Sequence, residues 1–313
     1  MRTGPAAGTG SYHHEAALHG DDDEFLAVAV PFVREGLAAG EPTWIALAER
    51  DAGLLRRALP RSAGARWLAM DRQYPTPAAA IRTYHEQFTE ALGAGAPQVR
   101  VIGNVPHPGH GTRWAGWARY EAAINHAFAT LPVWSLCCYD TRITPRPVLD
   151  GVLRTHPHLA APDGTRAANP AVVDPEAVLV EGMRTPPPAE PGPPGLVLHE
   201  PSPAAARHAL LAFAARLDRD ELEDLVLAVS EVVDNAWVHG APPVRVALWT
   251  GERTVVTVTD AGAGPSDPYA GLLPAKGSAT AGLGLWMAHQ LGREVSLHRG
   301  PGGFTVRIAA GPS

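Results

Sequence analysis

Several features are scarce in this 313-residue chain, and each scarcity removes a class of protein. There is no basic surplus: the formal net charge is -6. No cluster of Lys and Arg, no helix-turn-helix and no zinc-finger spacing appears, so nucleic acid is not expected as a partner. No apolar run is long enough to span a bilayer, and the opening MRTGPAAGTGSYHHE has no apolar h-region. A cytoplasmic location without a membrane partner is therefore expected. Cysteine is confined to the adjacent pair Cys137 and Cys138. Neighbouring strand residues point to opposite faces, so the expectation is two buried thiols rather than a disulfide. No GxxxxGK[ST] or GxGxxG loop follows a candidate strand in the first half, which leaves no evident phosphate cradle there. What is present is 45% hydrophobic and 19% charged residues, a globular composition long enough for two cores.

The stretch Thr185-Pro-Pro-Pro-Ala-Glu-Pro-Gly-Pro-Pro-Gly195 cannot hold a helix or a central strand, because proline lacks a donor and fixes φ. With the weakly patterned residues before it, it reads as a linker over 161–195, between a first domain at 10–160 and a second at 196–312. In the first, the apolar runs PTWIALA, ARWLAM, VRVIGNV and PVWSLCCYD alternate with amphipathic stretches at Asp51–Leu59, Pro77–Leu92 and Trp114–Ala129. That order predicts an α/β domain with a doubly wound, mainly parallel sheet. In the second, the strand GLVLHE precedes helices at Ala204–Leu217 and Glu221–His239. The strands VRVALWT and TVVTVTD, a glycine-rich stretch, a helix at Leu285–Leu291 and a closing hairpin follow. That is an α+β sandwich, with helices on one face of a mixed sheet.

The Glu221–His239 helix carries the first chemical signal. Leu222, Leu225, Val226, Val229, Val232, Val233 and Ala236 form a core stripe, while Glu231, Asn235 and His239 stand in line four apart. From Asp220 to Pro243 there are six acidic residues and no Lys or Arg, so the usual Glu–Lys pairs of a solvent face are missing. A bound cation would offset that charge. After TVVTVTD comes Asp260-Ala-Gly262-Ala-Gly264, a carboxylate at a strand end followed by glycines that let a ligand approach the backbone. Gly282-Leu-Gly284 then opens a helix whose free N–H groups suit phosphate. Between them, 266–281 with Lys276 has the composition of a lid.

In this order, EVVDNAWVHG, DAGAG, GLGLWMAHQL and GGFTVRI resemble the GHKL ATPase superfamily, and within it the anti-sigma-factor serine kinases of bacterial partner-switching systems. The resemblance covers essentially the whole second domain and implies a GHKL (HATPase) ATP-binding fold with ATP and Mg²⁺ as cofactors. It implies that Asn235 ligates Mg²⁺, that Glu231 is the base or polariser of the attacking hydroxyl, and that Asp260 accepts from the adenine amino group. Gly262, Gly264, Gly282 and Gly284 would shape the nucleotide loops, Lys276 would belong to the lid, and Thr305 would touch the base. Kinases of this type often present an arginine in the lid, whereas Lys276 is the one basic residue between Asp260 and Arg293 here.

Before the linker, His14-Glu-Ala-Ala-Leu, Gly20-Asp-Asp-Asp-Glu-Phe-Leu, Pro31-Phe-Val-Arg-Glu-Gly-Leu-Ala-Ala-Gly-Glu-Pro42, Tyr139-Asp140 and Arg154-Thr-His-Pro157 resemble the MEDS sensory domain. That family is associated with regulators responding to small organic compounds, so a small organic ligand is implied. Nine of the 14 histidines lie in this half: His13, His14, His19, His85, His107, His110, His126, His156 and His158. No two have a convincing ligand spacing on one element, so surface or capping roles are expected rather than a metal site. Trp44, Trp67, Trp114, Trp117 and Trp134 are expected mostly in the core.

The resemblances together imply a cytoplasmic anti-sigma regulatory factor. It would have ATP-dependent protein-serine kinase activity toward an anti-anti-sigma (STAS-type) protein, would bind a sigma factor, and would answer to the first domain. A non-catalytic, ATP-stabilised sigma-binding module is the alternative. A histidine kinase would need a dimerising two-helix domain; the helix bearing His208 cannot supply one. Whether the chain is a homodimer stays open.

Overall fold

The computed structural model describes residues 3–7, 10–60, 64–111, 113–214, 217–274, 283–292 and 294–311. The chain divides into two compact units, Met1–Pro75 with Ala80–Val178, and Leu179–Ser313 with Thr76–Ala79.

The first unit alternates strands and helices: β1 (His13–His19), α1 (Asp22–Ala38), β2 (Thr43–Ala46), α2 (Glu49–Ala58), β3 (Arg66–Trp67), α3 (Met70–Gln73), α4 (Pro77–Gly93), β4 (Val99–Gly103), α5 (Ala115–Ala127), β5 (Val133–Asp140), α6 (Arg146–Thr155), β6 (His158–Ala160) and β7 (Arg166–Ala168). They form one seven-stranded sheet in the order β3-β2-β4-β5-β1-β6-β7. Every pairing is parallel except β6 with β7. Each residue of β2, β4 and β5 is buried, so both faces are covered, as a doubly wound sheet requires. Phe25, Phe32, Leu55, Trp134, Leu136 and Cys138 pack together on one side. Strand β1, HHEAALH, gives no apolar run because His and Glu interrupt it, yet it pairs with β5 on one side and β6 on the other. ARWLAM shrinks to the two residues of β3.

The second unit holds β8 (Leu196–His199), α8 (Pro203–Phe213), α9 (Arg219–His239), β9 (Arg245–Thr250), β10 (Thr254–Asp260), α10 (Leu283–Leu291), β11 (Glu294–Gly300) and β12 (Gly303–Ala310). Its five strands run β11-β12-β10-β9-β8. All of these pairings are antiparallel, which replaces the mixed sheet expected from the sequence. Short connections after β9 and β11 produce two of these pairings, β9 with β10 and β11 with β12, since a tight turn can join only antiparallel neighbours. Asp218 caps α9 by accepting from Glu221 N at 2.8 Å. The stripe Leu225, Val229, Val232 and Val233 is buried against Val246, Val256, Val258 and Ile308. Each such side chain contributes about 1.5–3 kcal/mol over exposure.

Residues 161–195, expected to form a linker, include β7 and a helix, α7 (Pro175–Arg184). Met183 of α7 is buried in the core of the second unit. The proline-rich run is tied to the sheet. His298 Nδ1 donates to Thr185 O (2.8 Å), Arg307 Nε to Glu190 Oε1 (2.6 Å) and Trp249 Nε1 to Gly192 O (3.1 Å), while Gly195 N donates to Leu248 O (2.9 Å). Proline removes a donor but keeps its neighbours' acceptors, and here side chains of the sheet supply most of the donors.

Candidate functional site

On the polar line of α9, Glu231 and Asn235 are half-buried and His239 is exposed. Glu231 and Asn235 lie one turn apart and face the start of α10, where Gly284 sits between them. A methyl group on Gly284 would stand 2.8 Å from Asn235 Nδ2 and 2.9 Å from Glu231 Oε2. Glycine is what allows both side chains to reach this point. Asn235 Nδ2 is buried with no hydrogen-bond partner. A buried amide nitrogen without a partner costs stability unless water or a ligand meets it.

A second polar group closes the other end of a cavity. Asp260, the last residue of β10, is 6% exposed. Its Oδ1 accepts from Gly262 N at 2.7 Å and from Ala241 N at 3.2 Å. Those two bonds fix the carboxylate and leave Oδ2 as an acceptor for a donor arriving from the cavity. A Cβ at Gly240 would lie 2.5 Å from Asp260 Oδ1, and one at Gly262 would lie 2.7 Å from it, so both glycines make room for the carboxylate. Gly264 takes φ +71°, and a Cβ there would press into the Phe304 ring at 2.3 Å. Here the backbone conformation and the space both demand glycine.

Between Asn235 and Asp260 lies a cavity of about 330 Å³, walled by Val232, Ala236, Val258, Leu285, Phe304 and Val306. Its volume falls in the range of small-molecule sites, mostly apolar with a few placed polar groups. His239, the last member of the polar line, also borders it.

Thr305 does not join this set. Phe304 and Val306 line the cavity, so strand alternation turns Thr305 to the opposite face, where its hydroxyl lies 2.9 Å from that of Thr259. The residue opposite Asp260 across the ladder is Phe304. The expected base contact is therefore one position out of register. Lys276 and Gly282 lie outside the described residues. Sequence reasoning missed Gly240 and Phe304. The signal for Gly240 was its place directly after the polar line; for Phe304 it was the period of two along β12.

In the first unit, Trp44, Trp117 and Trp134 are buried as expected, and Cys137 and Cys138 are free and buried. His107 has the expected capping role, accepting from Gly109 N at 3.1 Å. Burial, with His110 beside it, holds its ring down at about 4, so the imidazole is neutral and able to accept. Surface roles fail for His13, His14, His19 and His156, all of which are buried. A small cavity of about 20 Å³ is lined by Tyr12, Tyr74, Tyr84, Tyr120, Phe88 and Cys137. That is room for about one water-sized molecule.

An antiparallel sheet covered by three helices, with an acidic and an amide residue on one helix, a strand-end aspartate and glycines at each approach, defines an ATP-binding domain of the GHKL kind. Residues 200–310 match the family model of the Histidine kinase-like ATPase domain, and residues 13–157 match that of MEDS, the MEthanogen/methylotroph, DcmR Sensory domain. The chain thus joins an N-terminal MEDS domain to a C-terminal histidine kinase-like ATPase domain. No curated protein matches it. Among solved structures it is similar to the RsbU and RsbW domains of Rv1364c from Mycobacterium tuberculosis. The identity is 23%, over 38% of this chain and 32% of that chain, with a TM-score of 0.28. It is also similar to the histidine kinase domain from the Erythrobacter litoralis EL346 blue-light activated histidine kinase, at 24% identity over 35% of this chain and 60% of that chain, with a TM-score of 0.23. The chain spans about a third of the first and three fifths of the second. Among the described residues no helix is long and apolar enough to cross a membrane.

Proposed function

We propose that this chain is an ATP-dependent protein-serine kinase of the anti-sigma type, acting on a small anti-anti-sigma protein and binding a sigma factor, with its MEDS domain as the sensor of a small organic molecule. The observation that carries the reading is the convergence of Glu231 and Asn235, whose amide nitrogen is unpartnered, on Gly284, with Asn235 and Asp260 lining one apolar cavity. The residues fit Mg²⁺–ATP. The amide of Asn235, whose nitrogen lacks a protein partner, would offer its oxygen as a ligand, which is enough for an ion that keeps several waters and takes the rest from phosphates. Asp260 would hold the adenine amino group, and Gly262, Gly264, Gly282 and Gly284 would let the nucleotide approach the backbone. Glu231 stands beside the amide, where a carboxylate can accept the proton of an attacking serine hydroxyl. Phosphoryl transfer asks mainly for such positioning and for neutralised charge.

The scarcity of cations favours a second reading. Lys276 is the one basic residue between Asp260 and Arg293, so the charge developing on a transferred phosphoryl group has little help from this chain. In that reading ATP stabilises a sigma-binding surface without useful transfer.

One experiment separates them. The full chain is incubated with Mg²⁺ and labelled ATP in the presence of the host's anti-anti-sigma proteins, and the products are searched by mass spectrometry for a phosphoserine. The kinase reading expects phosphoserine, and expects Glu231→Ala to bind ATP while losing transfer by about 10²–10⁴-fold. ATP-dependent capture of a sigma factor with no phosphoserine would establish the second reading instead.

A further inference from the structure

We propose that His14, Glu121, Cys137 and His156 of the MEDS domain form a closed four-ligand site for a divalent transition metal of the zinc class. The four residues come from four places in the chain: β1, α5, β5 and the residue after α6. All four are buried, and one ligand atom from each lies within 4.8 Å of every other.

The hydrogen bonds around the histidines fix where their lone pairs point. Asn125 Nδ2 donates to Glu121 O (3.0 Å) and Thr155 O (2.8 Å), so its Oδ1 is the acceptor for His14 Nδ1 at 3.1 Å. His14 therefore carries its proton on Nδ1, and Nε2 is bare. The same holds for His156, whose Nδ1 faces the carbonyl of Val152 at 2.8 Å. Both bare Nε2 atoms look toward the Glu121 carboxylate. Its Oε2 lies 3.5 Å from His14 Nε2 and 3.6 Å from His156 Nε2. Neither Glu121 Oε2 nor His156 Nε2 has a hydrogen-bond partner, although both residues are fully buried. Cys137 Sγ completes the group at 3.5 Å from His14 Nε2.

The Cys137 thiol lies within hydrogen-bond reach of His14 Nε2, whereas the two nitrogen–oxygen approaches are too long for hydrogen bonds. All four donors are well placed around a cation. Bond lengths of about 2.0–2.3 Å to zinc give tetrahedron edges of about 3.3–3.8 Å, the range of the three approaches above. The outer partners are those that orient metal ligands elsewhere: an amide oxygen on His14, a backbone carbonyl on His156, and Tyr139, whose hydroxyl donates to the other oxygen of Glu121. Charge agrees as well. Two neutral imidazoles, one thiolate, one carboxylate and a dication sum to zero, which a buried site tolerates. Burial holds His14 and His156 down at about 3, so both imidazoles are neutral, and pushes the Glu121 carboxyl and the Cys137 thiol up.

The donor set of one sulfur, two imidazole nitrogens and one carboxylate oxygen suits Zn²⁺, and also Co²⁺ as its spectroscopic substitute. The test uses the full chain, stripped with chelator and reloaded with ZnCl₂ or CoCl₂ alone, with metal counted by mass spectrometry and cobalt followed by absorption. The expected result is about one equivalent of either metal, and a cobalt spectrum with strong tetrahedral visible bands and a near-ultraviolet thiolate charge-transfer band. Cys137→Ser should lose the charge-transfer band and bind Zn²⁺ at least about 10-fold more weakly, whereas Cys138→Ser, altered on the other face of β5, should keep both. Glu121→Gln gives a second variant should Cys137→Ser fail to fold, and it should lower Zn²⁺ affinity likewise. Metal uptake well below one equivalent overturns the proposal. So does a charge-transfer band that survives Cys137→Ser, because the metal would then sit elsewhere.

Discussion

Two asparagines, one in each domain, show how differently this chain treats the same side chain. Asn125 is fully engaged: its nitrogen donates to carbonyls of Glu121 and Thr155, and its oxygen accepts from His14. Asn235 is half-buried like Asn125, yet its nitrogen, itself buried, has no partner. The first asparagine ties α5 to the end of α6 and orients a histidine. The second is held next to a cavity by a helix that needs nothing from it. A polar side chain that the fold has satisfied is part of the architecture, and one left unsatisfied beside a cavity has hydrogen-bonding capacity to spare.

That contrast can be attacked at three points, in falling order of expected effect. Gly284→Val would thrust a branched side chain at the tips of Asn235 and Glu231. Those tips can swing aside, so thermal stability should hold, while displacing them by about 1 Å should reduce nucleotide turnover by ~10²-fold. Calorimetry and a turnover assay on the same sample check this; a fold lost along with turnover would mean that the gap is structural. Asn125→Ala should cost about 1–3 kcal/mol of stability, because the buried carbonyl of Thr155 loses its side-chain donor. Urea denaturation reads that value directly. Asn235→Ala removes a group with an unmet hydrogen bond, so the same urea titration should show a change of about 0.5 kcal/mol or less. A large loss there would make the two asparagines alike and remove the argument for the site.

Much of the second domain was legible in the sequence because its signals are local. The α9 stripe, the polar line beside it, the strand-end Asp260 and the glycines each announce themselves within a dozen residues. Thr305 went astray for a reason of equal simplicity: in a strand of period two, a one-residue shift moves a side chain through the sheet. The first domain hid more. Strand β1 is central but carries two histidines and a glutamate in its first three residues, so no apolar run betrays it. Its polar cluster is invisible by spacing, since positions 14, 121, 137 and 156 meet only when β1 settles beside β5. A hint was present in α5, where Glu121 is followed four residues later by Asn125, on one face of the helix and with no Lys beside them.

The proline-rich run that binds the back of the second sheet has a consequence for how that sheet finds its alignment. Arg307 is almost wholly buried and is neutralised by Glu190 from the run and Glu294 from β11, at 2.6 and 2.8 Å. On the same strand, Phe304 and Val306 face the other way, into the cavity. If β12 paired one residue out of step, the guanidinium would enter an apolar pocket without a counter-charge, and Phe304 would leave it. An unpaired buried charge costs several kcal/mol, far more than most misalignments of an apolar strand. Glu190 and Arg307 therefore act as a proofreading pair, rejecting the one slip that would put the wrong face of β12 toward the nucleotide.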